Sequence, residues 1–103
     1  MSSNLIIEFS KQININPNDA FLYYSRGNEK MKIKDYAGAI EDYNRAIELD
    51  AVDAELYYNR GNCKYFLGDN DGANLDWRKA NELGLAEAYR NLIGNFADKT
   101  KQG

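Results

Sequence analysis

The side chains able to carry chemistry are few, and their spacing works against catalysis. The 103 residues contain no histidine, so triads, metal sites and pH switches built on imidazole are absent. The one cysteine, Cys63, stands on a helical pattern beside Asn62 with no histidine to activate it. A small buried hydrophobe is its expected role. It cannot form an internal disulfide or a multi-cysteine zinc site. Carboxylates are plentiful, but the pairs Glu41–Asp42 and Asp69–Asp71 fall on helix surfaces or turns and read as solvated charge. The run Gly68-Asp-Asn-Asp-Gly72 has the acidic start of a calcium loop. It lacks the closing glutamate such a loop needs, and a helix begins inside it. No glycine-rich phosphate loop is present. These observations point away from an enzyme, a bound metal and a cofactor.

Composition narrows the partners. Thirteen basic residues against 16 acidic ones give a net charge of −3. That balance disfavours nucleic acid, whose phosphates call for a basic face. No apolar run approaches the roughly 20 residues of a membrane span. The opening Met1-Ser-Ser-Asn-Leu-Ile-Ile-Glu lacks the basic and long apolar regions of a secretory signal. The expected setting is cytoplasmic and reduced, without nucleic-acid or membrane partners. The length suits one compact domain. Thirteen aromatics, eight of them tyrosine, are a generous supply for it.

An internal repeat positions all of these residues. Segment 20–30 reads AFLYYSRGNEK and segment 54–64 reads AELYYNRGNCK, a shift of 34. Extended, the shift pairs 17–50 with 51–84 at 16 identities in 34 positions, where chance gives two or three. The match also runs backwards: 6–16 aligns with 40–50, so the chain opens on the second half of a unit. After Gly84 the match fades, and 86–98 relates only loosely to the start of a unit.

Each unit has a helical period. Tyr36, Ala39, Ile40, Tyr43, Ala46 and Ile47 fall on one face of a 3.6-residue helix. Asp19, Asp35, Asp53 and Asp69 stand where helix N-caps belong. Lys34-Asp35 and Gly68-Asp69 mark turns between paired helices. Pro17 lies just before a helix, and Gly84 just after one. Nothing reads as a strand. Helices are predicted at 4–14, 19–33, 36–49, 53–67, 70–83 and 86–98. Gly27 and Ala39 are 12 residues apart, and Gly61 and Ala73 repeat the spacing, so small residues meet where the paired helices approach. Arg26 and Arg60 recur together with Asp42 and Asp76. An arginine–aspartate pair is expected within each unit or across the unit junction, as Asp42 with Arg60, because a half-buried arginine without a partner is costly.

These features resemble the tetratricopeptide-repeat family, whose unit is a 34-residue helix–turn–helix. The family's small residues match Gly27 and Ala39 in one unit and Gly61 and Ala73 in the next. Its aromatic matches Phe9, Tyr43 and Trp77, and its alanine Ala46 and Ala80. The usual proline is kept at Pro17 but replaced by Ala51 and Leu85. A position often aromatic in the family is Lys30 and Lys64. The resemblance covers about 5–84. It implies an all-α, right-handed solenoid of antiparallel hairpins with about six helices: a half-repeat at 5–16, repeats at 17–50 and 51–84, and a capping helix at 86–98, all one domain over 1–103.

The resemblance also implies a concave face, lined by the first helix of each unit, that binds a peptide or partner protein. Carried over residue by residue, that face is Phe21, Tyr24, Ser25, Asn28, Met31 and Lys32 in one unit. In the next it is Glu55, Tyr58, Asn59, Asn62, Tyr65 and Phe66. It reads as an aromatic groove with amides that can hydrogen-bond an extended backbone. One subclass of the family clamps a C-terminal carboxylate. Asn28 and Asn59 match its two amides, but Tyr24 replaces its lysine, so that mode is disfavoured. The alternative to a groove is self-association, as in a homodimer, through the last helix or through Ile6, Ile7, Phe9 and Ile13 of the leading half-unit.

Overall fold

The computed structural model describes residues 2–91 and 94, and the side chains of 4–91 and 94. The architecture is an all-α helical repeat. Helix α1 spans Ser2–Ile15, α2 Ala20–Lys32, α3 Tyr36–Leu49, α4 Ala54–Phe66 and α5 Asn70–Glu82. Residues 86–91 continue as helix; the rest of the helix predicted at 86–98, apart from 94, lies outside the described residues. The described residues contain no strand. Each helix packs on the next, and α2 also touches α4. That last contact makes a stack in which the first helices of the two units lie side by side.

The helix starts follow from local chemistry. The Asp19 carboxylate accepts from the Phe21 N–H, and Asp53 from Glu55. Asp35 accepts from Gly38, and Asp69 from Gly72. Each aspartate thereby satisfies a donor that the helix leaves without a partner. The ends of α2, α4 and α5 share a reversed turn with positive φ at Lys34, Gly68 and Gly84. There the following N–H reaches back over the turn, as Asp35 to Lys30 and Asp69 to Lys64. Lys34 alone adopts this left-handed backbone with a side chain, at φ 65°.

Two core clusters form, the first reaching from the α2–α3 hairpin into α4 and the second around α5. Tyr43, Ala39, Ala46, Leu56 and Cys63 centre the first; Trp77, Ala73, Ala80 and Ala88 centre the second. The expected meeting of Gly27 with Ala39 is sharpened here. The glycine is needed by the aromatic: a Cβ on Gly27 would lie 2.9 Å from Tyr43 Cε1, and one on Gly61 2.8 Å from Trp77 Nε1. The ring of each unit's second helix fills the space that a side chain on the first would take.

Asp42 corrects the reading of surface charge, and Asp76 repeats its burial. Asp42 is 2% exposed and Asp76 4%, between the helices of their hairpins. Arg26 grips Asp42 with two bonds, Nε to Oδ2 at 2.9 Å and Nη2 to Oδ1 at 2.6 Å. Arg60 grips Asp76 likewise at 2.8 and 2.7 Å. Lys30 and Lys64 close on the same carboxylates, each at 3.1 Å. The pairing is therefore within the unit, and Asp42 with Arg60 is not made. The junction is crossed by the remaining arginine nitrogen: Nη1 of Arg26 donates to Ser10 on α1, and Nη1 of Arg60 to Asn44 on α3. Hydrogen bonding to Asp42 and to Asp76 raises the two guanidinium pKa values further, so both arginines stay charged. Tyr23 and Tyr57 complete the junction by donating to the carbonyls of Pro17 and Ala51. Among the described residues no buried side-chain nitrogen or oxygen lacks a partner.

Candidate functional site

The side-by-side first helices present their outward residues along one face. Around α2 the face hollows to about 630 Å³, lined by Phe9, Phe21, Tyr24, Ser25, Asn28, Met31, Lys32 and Asn59 among others. A second hollow of about 480 Å³ shares Met31 and adds Asn62, Tyr65, Phe66, Trp77 and Arg90. The structure thus brings together Phe21, Tyr24, Asn28, Met31, Lys32 and Asn59 in one hollow, and Asn62 and Tyr65 in its neighbour. Glu55 lies at their edge, joined to Tyr24. Tyr58 is in neither: it is half-buried against the Trp77 cluster. Phe66 stacks on Tyr36 at 4.9 Å yet is 57% exposed, so it both packs and lines the second hollow.

The two amides differ from expectation in what they have left to offer. Asn28 Oδ1 accepts from the Tyr43 hydroxyl and from Asn59 Nδ2. Asn62 Oδ1 accepts from Trp77 Nε1 at 3.0 Å and from Asn91 at 3.5 Å. Both acceptors are committed to a core aromatic and to the next helix, so these asparagines join repeats rather than offering a free carbonyl. A buried Tyr43 hydroxyl or Trp77 indole without that acceptor would be left unsatisfied. Desolvation raises the Tyr43 phenol pKa well above its ordinary value, which keeps the hydroxyl protonated as donor.

The hollow's charges are also largely spent. Lys32 pairs with Glu29 at 2.8 Å, and the Glu29 side chain is nearly buried. Tyr24 donates to Glu55 Oε2 at 2.7 Å. Burial raises the Tyr24 pKa, and the Glu55 carboxylate raises it further, so this phenol is protonated at neutral pH. Cys63 is fully buried, and burial pushes its thiol up to about 11; it is inert at neutral pH. No group of three or more His, Cys, Asp or Glu able to hold a metal occurs among the described residues. No helix among them is long and apolar enough to cross a membrane.

Sequence reasoning missed the roles of Lys30, Lys64, Ser10 and Asn44. For the lysines a signal existed, since the same departure from the family pattern occurs at both places 34 residues apart. For Ser10 and Asn44 the residues differ, and only their shared place in the register gives them away.

A family model described as TPR repeat matches residues 27–68. No curated protein matches the chain. Among solved structures, the chain is similar to the first TPR of Spaghetti (RPAP3) bound to HSP90 peptide SRMEEVD. The two are 24% identical with a TM-score of 0.85, over 92% of this chain and 77% of that one. It is similar to PcrH in complex with the chaperone binding region of PopD, at 20% identity and TM-score 0.91, over 95% and 80% of the two chains. It is also similar to MamA, at 26% identity and TM-score 0.87, covering 92% of this chain but 57% of MamA. The 34-residue period, the twice-made hairpin contacts and the matched model agree: residues 27–68 carry a TPR repeat, and the chain around them is built as a similar helical repeat.

Proposed function

We propose that this chain is a protein-interaction module that holds a peptide or partner segment along the face formed by α2 and α4, as one continuous domain with no catalytic role. The observation that carries the reading is the pair of adjoining hollows walled by exposed aromatics. Phe21 is 65% exposed, Phe66 57% and Tyr65 45%, and large rings left in water around a concavity are the usual anchors of recognition. Two proteins of similar fold, the first TPR of RPAP3 and PcrH, are bound to a peptide and to a binding region of a partner, which supports the same use here. A net charge of −3 goes with protein rather than nucleic-acid partners, and with a cytoplasmic setting.

The test is affinity capture from native extract with the full chain and with Phe21→Ala/Tyr65→Ala. Both side chains are exposed, so the double variant should melt like the parent. Loss of the captured partner is expected. Undiminished capture by the double variant would remove the groove reading.

A second reading, self-association through α1, is favoured by Leu5 and Ile7, 45% and 54% exposed, and by the half-buried Phe9. Light scattering at micromolar concentration separates the two. A mass above the monomer that Ile7→Asp abolishes supports association; a strictly monomeric mass ends it.

A further inference from the structure

We infer that the segment held on this face carries a basic side chain, Lys or Arg, which docks against the Phe21 and Tyr24 rings and the Glu55 carboxylate. The inference rests on the interaction reading above and deepens it.

Charge complementarity is the first argument. The cations of the first helices each have an anion at home: Arg26 and Lys30 share Asp42, Arg60 and Lys64 share Asp76, and Lys32 pairs with Glu29. Glu55 is the contrast. It is exposed, its carboxylate accepts from the Tyr24 hydroxyl, and among the described residues no lysine or arginine lies within ion-pair distance. Asp53 adds to the negative field felt by Tyr24. This corner of the face therefore presents an uncompensated anion.

The rings beside it favour the same occupant. Phe21 and Tyr24 lie 6.4 Å apart, tilted by 37°, and Phe21 is mostly in water. An aromatic face attracts a cation within about 6 Å of its centroid. The chain builds such contacts internally: the Arg26 and Arg45 guanidinium carbons lie 5.9 and 5.6 Å from the Tyr23 centroid, and Arg60 5.5 Å from Tyr57. A terminal carboxylate is the wrong guest. Glu55 would repel it, Tyr24 offers no positive charge, and the Asn59 amide is engaged with Asn28.

The test selects peptides from a displayed library of random dodecapeptides on the full chain. The best binders are then synthesised with acetylated and amidated ends. Lys or Arg beside an apolar residue should be enriched. Replacing that basic residue by Gln should weaken binding about fivefold, the size of an exposed cation–π contact with an ion pair. On Glu55→Gln, which keeps an acceptor for Tyr24, the same replacement should matter only about two- to threefold, the share left to the rings. Enrichment of acidic or neutral peptides, or no loss on replacing the basic residue, overturns the inference and leaves the groove standing. Binding indifferent to Phe21→Ala/Tyr65→Ala, or no enrichment at all, overturns the groove reading and the inference with it.

Discussion

The two repeat units keep 16 of 34 residues in common, and the main polar contacts that hold a hairpin together are made twice. Arg26–Asp42–Lys30 has its counterpart in Arg60–Asp76–Lys64. Asn28 under Tyr43 corresponds to Asn62 under Trp77. The differences fall elsewhere. Met31 and Lys32 on the groove become Tyr65 and Phe66, Glu29 becomes Cys63, and Lys34 at the turn becomes Gly68. The lesson is a division of labour. Identity is kept at the Arg–Asp–Lys triads and the asparagines under the core aromatics, and most variation falls where a side chain meets water or a neighbouring unit; Glu29, buried and paired with Lys32, is the exception, since Cys63 takes its place.

The comparison breaks most sharply at the glycines. Gly27→Leu drives a branched side chain into Tyr43, and Gly61→Leu into Trp77, where even a Cβ sits under 3.0 Å from the ring. Both variants are expected to unfold the protein by circular dichroism, well beyond the few kcal/mol of ordinary overpacking. An unchanged melting midpoint for either would falsify the packing account.

The buried carboxylates come next. Asp42→Ala leaves Arg26 and Lys30 facing each other without their anion, and Asp76→Ala does the same to Arg60 and Lys64. Each should lose about 3 kcal/mol in urea unfolding. Equal losses support a contact that stabilises both units alike; a loss under about 1 kcal/mol at one site means that unit holds by its aromatics alone.

Cys63 offers a smaller and pH-dependent difference from Glu29. Burial raises its thiol from the ordinary 9.0 to about 11. The folded state therefore holds the proton more tightly than the unfolded chain. That stabilisation is fully present below about pH 9 and is lost as pH rises toward 11. Relative to Cys63→Ala, which cancels the tyrosine background, the parent should lose about 1–2 kcal/mol between pH 8 and 10.5. A constant difference across that range would show that the thiol is wetter than its burial indicates.

The smallest expected effect lies at the turns. Lys34→Gly gives the first unit the residue of the second at a left-handed backbone position, and should add up to about 1 kcal/mol. Gly68→Lys should subtract a similar amount. Thermal midpoints read both, at roughly 4–8 °C per kcal/mol for a chain of this size. A fall in midpoint for Lys34→Gly would mean that the Lys34 side chain makes a stabilising contact that outweighs its strained backbone.

Much of this was legible without coordinates. The period of 34, the capping aspartates and the face of Tyr36, Ala39, Tyr43 and Ala46 place five helices within one or two residues of where they lie. The groove list was legible as places on a helix: Phe21, Tyr24, Asn28, Met31 and Lys32 do meet at one hollow. What those side chains have left to give was not. Asn28 and Asn62 look like free amides in sequence, and their acceptors are taken by aromatics 15 residues away. Tyr58 repeats Tyr24 in register and each packs against a core cluster, yet Tyr24 lines a hollow and Tyr58 lines neither of the two.

The sequence by itself determined the repeat, the hairpins and the faces of the helices, because helical period and capping are local and act between residues three or four apart. Only the tertiary structure decided that Asp42 binds within its unit, that Lys30 joins it, and that Glu55 meets no cation among the described residues. Those outcomes depend on which groups come within about 3 Å across a helix interface, and that distance follows from packing rather than from spacing along the chain.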